Sequence, residues 1–188
     1  MDVPEEKAII LPSSHVALAE RKKCNAGGKD CGYRNVSYFA GLDWPRKLMA
    51  QVADQALSSP AFVERWTACG LYTGRHRTRK SVPSSFHVAE YHRRGNQATN
   101  LTVALMAKAT RTTIYVVTKC PTGFYVTEYS GQAMLDAQSS VGCAVCDDAA
   151  IDAFRAYSGP VLLYLGHGHW NAFPRSDSPR ENKRQRRL

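Results

Sequence analysis

Apolar positions recur at helical spacing through roughly the first 110 residues and at strand spacing after that. Tyr33, Val36 and Ala40 stand at i, i+3 and i+7 with Phe39 beside them, which predicts an amphipathic helix over 31–41. Asp43 is placed to cap a second helix, Pro45 suits its first turn, and Leu48, Val52 and Ala56 supply its apolar stripe. A third helix fits Ser59 to Cys69, with Phe62, Val63 and Trp66 inward and Gly70 as its stop. Residues 71–84 read as a basic loop, and Phe86 to Arg93 as a short helix ended by Gly95. Thr99 or Asn100 caps another helix, in which Leu101, Ala104, Leu105 and Ala109 share a face.

From Thr113 the residues become β-branched and aromatic. Thr113 to Thr118 and Phe124 to Tyr129 predict a hairpin closed by Cys120-Pro121-Thr122-Gly123, a type I turn sequence. A helix over 147–157 is built around Ile151 and Phe154, and Pro160 to Leu165 reads as a buried strand. After the Gly166-His167-Gly168 break, His169 to Phe173 predicts one more strand. Helices first and strands later define an α+β chain, a small central β-sheet flanked by helices.

Composition adds boundaries to this layout. The 188 residues are 44% hydrophobic and 22% charged, which fits one globular domain and excludes wholesale disorder. No apolar run approaches the roughly 18–20 residues of a membrane span, so no membrane role is expected. The acidic start, Met1 to Glu6, has no secretory apolar core, and six cysteines are too few for a disulfide scaffold. An intracellular, reduced protein follows, cytoplasmic and/or nuclear. The net charge is +9, but Arg175 to Leu188 carries six basic and two acidic residues, leaving +5 elsewhere. That segment cannot bury a core and is expected to be a disordered tail. Its Lys183-Arg184-Gln185-Arg186-Arg187 run fits a nuclear address, a nucleic-acid contact or a solubilising tail. The expected division is an N-terminal extension over 1–24, a domain over 25–174 and a tail over 175–188.

Two places carry candidate chemistry. Cys31 follows a glycine-containing loop and opens a helix, where the positive end of the helix dipole favours a thiolate. Backbone N–H groups around Gly28, Lys29 and Asp30 can converge there on a developing oxyanion. His169-Trp170-Asn171 is the second place. On a strand, residues two apart share a face, so Asn171 can fix the tautomer of His169 while Trp170 turns away. His169 stands 138 positions after Cys31, and thiol hydrolases assemble nucleophile and base from remote segments. Cys143-Ala144-Val145-Cys146 has no second pair to complete a zinc site, so no metal is expected. Cys24 lacks the following helix pattern of a nucleophile, and His167 has no Asn or Asp two residues on. His76, His87 and His92 lie in or near polar stretches and read as surface residues.

These residues resemble a known family. Cys31 to Ser37 looks like the nucleophile box of ovarian-tumour (OTU) cysteine proteases. Glu90 to Gly95 with Asn100 to Ala107 is similar to that family's central helix region, and Thr112 to Tyr129 to its following hairpin. Leu162-Leu163-Tyr164 leading to His169-Trp170-Asn171 resembles its closing strand and His-aromatic-Asn/Asp box. The resemblance covers roughly 25–174 and departs at Gly28, where Asp is usual, at Ala98-Thr99, where Trp-Gly is common, and at Gly32, where a bulkier residue is usual. It implies Cys31 as nucleophile, His169 as general base and Asn171 as orienting residue, with no cofactor. It implies cleavage of isopeptide or peptide bonds after ubiquitin or a ubiquitin-like modifier, with Trp170 either lining the cleft for the modifier's tail or packed under the histidine. The Cys31 to Asn35 string also resembles peptidases of ubiquitin-fold modifiers, whose Asp-Pro-His box is absent. A basic nucleic-acid-binding module without activity is the alternative of a different class; it accounts for the charge of the tail and of 75–80.

Overall fold

The computed structural model describes residues 29–42, 44–68, 84–120, 123–130, 143–145, 147–166 and 169–172. The expectations for 1–28, Asp43, the basic cluster at 75–80, Cys146, His167 and the 175–188 tail lie outside these residues. Among the described residues five helices come first: α1 (Cys31–Phe39), α2 (Pro45–Ser58), α3 (Pro60–Ala68), α4 (Ser85–Arg93) and α5 (Asn100–Thr110). The hairpin β1 (Ile114–Cys120) and β2 (Gly123–Tyr129) follows, then β3 (Cys143–Ala144), α6 (Asp148–Ala156), β4 (Val161–Gly166) and β5 (His169–Ala172).

The five strands form one sheet in the order β3-β2-β1-β4-β5. β1 pairs antiparallel with β2, with Cys120 opposite Gly123 as the predicted turn requires, and parallel with β4. β5 runs antiparallel to β4 and forms one edge of the sheet. Strand alternation sends side chains into two cores. Ile114, Val116, Leu162 and Trp170 pack against α1, α2, α4 and α5, while Tyr115, Val117, Val161 and Leu163 pack with Phe154 of α6 on the other face. The sheet is therefore flanked by helices on both faces, the α+β arrangement the sequence implied.

The helix boundaries follow local chemistry. α2 has Pro45 at its start, but its N-cap position is Trp44, which makes no side-chain cap hydrogen bond. Ser84 caps α4 by accepting from the His87 amide. Thr99 caps α5 in a reciprocal box: it accepts from the Thr102 amide at 3.2 Å, and its own amide donates to the Thr102 hydroxyl at 2.8 Å. α5 was expected to bury one face. Leu101 to Ala107 are instead all buried, because α5 lies inside the helical layer, whereas Ala109 is only half-buried. A helix buried all round cannot show an amphipathic stripe.

Candidate active site

α1 begins at Cys31, and the turn before it, Lys29-Asp30, is tied to the helix twice. The Arg34 amide donates to the Asp30 carbonyl at 3.0 Å, and Arg34 Nε donates to the Asp30 carboxylate at 2.8 Å. These bonds fix the chain direction into the first turn, whose leading N–H groups have no acceptor within a helix. Cys31 is a buried thiol at this position. Lys29 and Asp30 thus form the turn that leads into Cys31, while Gly28 lies outside the described residues.

The other half of the site is β5. His169 opens the strand opposite Gly166, and Asn171 pairs with Leu163. The side chain of His169 lies outside what the structure describes; Asn171 is buried. Trp170 turns to the helical face, its ring 4.7 Å from that of Tyr164. It is 1% exposed, which leaves it no surface for a substrate tail. The packed role, not the cleft-lining one, is what its surroundings fit.

Trp170 is the point where the two halves meet. The Gly32 backbone packs against it so closely that a Cβ at residue 32 would come within 3.4 Å of the indole Cδ1 and 2.8 Å of the Ala98 Cβ. The indole Nε1 donates to the Ala98 carbonyl at 3.1 Å. Asn35 Nδ2 donates to the Trp170 carbonyl at 3.0 Å. The residue after Cys31 thus abuts the residue after His169, so the structure brings the two candidate segments together although they are far apart in sequence.

A second set of contacts supports α1 from behind. Tyr33 and His92 Nδ1 share a 2.5 Å hydrogen bond, and both side chains are fully buried. His92 was expected at the surface because Glu90, Arg93 and Arg94 surround it in sequence. It is buried because it follows Val88 by one helical turn and shares that residue's inward face. Burial lowers its pKa from 6.5 to about 3, so it is neutral at physiological pH. Among the described residues, its Nε2 has no hydrogen-bond partner. His87, by contrast, is exposed as expected.

Sequence reasoning assigned no role to Asn35 or to the Tyr33–His92 pair. The signals were spacing: Asn35 is one turn after Cys31, and His92 one turn after Val88. Among the described residues, no three His, Cys, Asp or Glu side chains converge as a metal site requires. Among the same residues, no helix is long and apolar enough to cross a membrane. Cys143 is in β3, but its side chain and Cys146 lie outside the described residues.

Cys31 thus heads a helix that packs on the sheet beside the strand bearing His169 and Asn171. No protein-family model matches the sequence, and no curated protein matches it. Among solved structures, the fold is similar to that in "Crystal structure of an OTU deubiquitinase from Wolbachia pipientis wMel bound to ubiquitin". The likeness has a TM-score of 0.55 at 7% identity and covers 79% of this chain and 91% of that one. The fold is thus OTU-like, as the sequence boxes implied.

Proposed function

We propose that this protein is an OTU-type cysteine protease that releases ubiquitin or a ubiquitin-like modifier from conjugates. The observation carrying this reading is the packing of the Cys31 helix on the His169 strand within an OTU-like fold. That the similar solved structure is an OTU deubiquitinase bound to ubiquitin supports ubiquitin as the partner.

In the proposed mechanism the Cys31 thiolate attacks the carbonyl carbon of the modifier's C-terminal residue, which is bonded to the lysine nitrogen. The negative charge that develops on the carbonyl oxygen is met by main-chain N–H groups of the 28–31 turn. His169, held in one tautomer by Asn171, protonates the departing lysine amine as the carbon–nitrogen bond breaks and a thioester forms. Water, deprotonated by His169, then attacks the thioester carbon; the carbon–sulfur bond breaks, the modifier leaves with a free C-terminal carboxylate, and the Cys31 sulfur is regenerated. The basic segments at 75–80 and 175–188 are proposed to direct the enzyme to its compartment or to an acidic partner.

The test is reaction with ubiquitin bearing a C-terminal electrophile, followed by peptide mapping. Labelling is expected at Cys31 and is abolished in Cys31→Ala, whose hydrolysis rate falls by about 10³-fold or more. Asn171→Ala is expected to be milder, since His169 can still adopt the needed tautomer part of the time. Labelling at another cysteine, or none with ubiquitin or any ubiquitin-fold modifier, would sink the proposal. If binding to RNA or DNA then fell steeply with salt, the non-catalytic alternative would stand.

A further inference from the structure

We infer that Asn35 is a positioning residue, a strap that sets the height of the base-bearing strand against the nucleophile helix. The inference rests on the assignment of Cys31 and His169 made above. Cys31 and Asn35 are four residues apart on α1 and so lie on one face, one turn from each other. From that face Asn35 Nδ2 donates to the Trp170 carbonyl, 3.0 Å away. This carbonyl belongs to the peptide joining Trp170 to Asn171 and lies one residue beyond His169. A single hydrogen bond therefore links the helix face that carries the thiol to the main chain between the two other candidate residues.

β5 needs such a link. It is a four-residue strand at the edge of the sheet, so among the described residues one side of its main chain has no strand neighbour. Its register with β4 is irregular between Tyr164 and Gly166, where His169 pairs. The ladder alone is therefore weakest at the position that matters. The Trp170 indole is anchored separately, by the Ala98 carbonyl and by packing on Gly32, but those contacts hold the ring and not the strand's main chain. The residue type points the same way. Asn is a poor former of helix interiors, so its presence mid-helix calls for a tertiary task.

That propensity makes the test clean. Asn35→Ala loses the hydrogen bond but gains helix preference, so the melting temperature is expected to move by less than about 5 °C. With the C-terminal aminocoumarin amide of ubiquitin as substrate, kcat is expected to fall about tenfold or more, because misplaced reacting groups lose rate steeply. KM is expected to stay within about twofold, since the Asn35 amide is engaged with the Trp170 main chain. Asn35→Asp keeps the shape but lacks the N–H donor, and it is expected to lose kcat to at least the same extent. Wild-type kcat in either variant overturns the inference, as does a rise in KM without loss of kcat. An active wild type with unaltered variants overturns this inference alone. A wild type with no turnover and no labelled cysteine overturns the functional assignment, and this inference with it.

Discussion

Gly32 shows how one side chain's absence shapes the site. OTU-like sequences usually carry a larger residue after the cysteine, and here the space is taken by the Trp170 indole and Ala98. Gly32→Ala would force its Cβ to 2.8 Å from the Ala98 Cβ, and neither atom is at the end of a flexible chain. The expected result is a loss of about 1–3 kcal/mol in stability by urea unfolding, with a parallel fall in hydrolase activity as α1 lifts from β5. His92 gives a second residue-scale expectation. Its pKa lies below the unfolded value, at about 3 against 6.5, so the folded state binds fewer protons. Its contribution is complete above pH 6.5 and is lost as pH falls from there toward about 3. Urea unfolding between about pH 6.5 and 5 should lose up to roughly 1.4 kcal/mol per pH unit from this group, and His92→Leu should flatten that slope. A variant with the wild-type slope would contradict the burial argument. Both residues were partly legible in the sequence. Gly32 was visible as a departure but its partner Trp170 was not, because contacts between remote residues leave no local pattern. His92 was misread because its charged neighbours outweighed the helical period, which alone gave the right face.

At the scale of elements, the chain is clearest where local rules act and vaguest where burial overrides them. The β1–β2 hairpin was legible because β-branched runs flank a Pro-Gly turn sequence, and α1 because its apolar residues keep helical spacing. β3 was not expected: two residues on a sheet edge carry no periodicity. α5 was placed correctly by its cap, but its seven consecutive buried residues were reduced to a stripe. Burying Leu101, Leu105 and Met106 contributes about 1.5–3 kcal/mol each, which sets α5 as the pillar of the helical layer. Its start depends on the Thr99–Thr102 box, where each buried hydroxyl satisfies the other residue's amide. Thr99→Ala is expected to destabilise the protein by about 1 kcal/mol, nearer 2 if the Thr99 amide loses its partner as well. A double-mutant cycle with Thr102→Ala should show coupling between the two, because either change disrupts the same pair of bonds. Strict additivity would mean that the box contributes nothing as a unit.

Across the whole molecule, the proposed site depends on the least local contact in the fold. α1 is the first described helix and β5 the last described strand, and nothing adjacent in sequence holds them together. Among the described residues, the Asn35 strap and the packing of Trp170 on Gly32 join them, while the Trp170–Ala98 bond ties β5 to the segment before α5. Among the described residues, β5 reaches the sheet only through β4, which itself rests on the parallel pairing with β1. Because Trp170 belongs to the same buried cluster as Leu48, Leu105 and Ile114, β5 cannot leave without opening that core. The edge strand, ordinarily the first part of a sheet to fray, is therefore expected to unfold with the rest. Hydrolase activity and far-UV circular dichroism should then be lost at one urea midpoint, as in a two-state transition. Activity lost at clearly lower urea, with the dichroism intact, would mean that β5 detaches on its own. In that case the buried indole would not be what couples the site to the fold, and the cooperative picture would have to yield to a site assembled only locally.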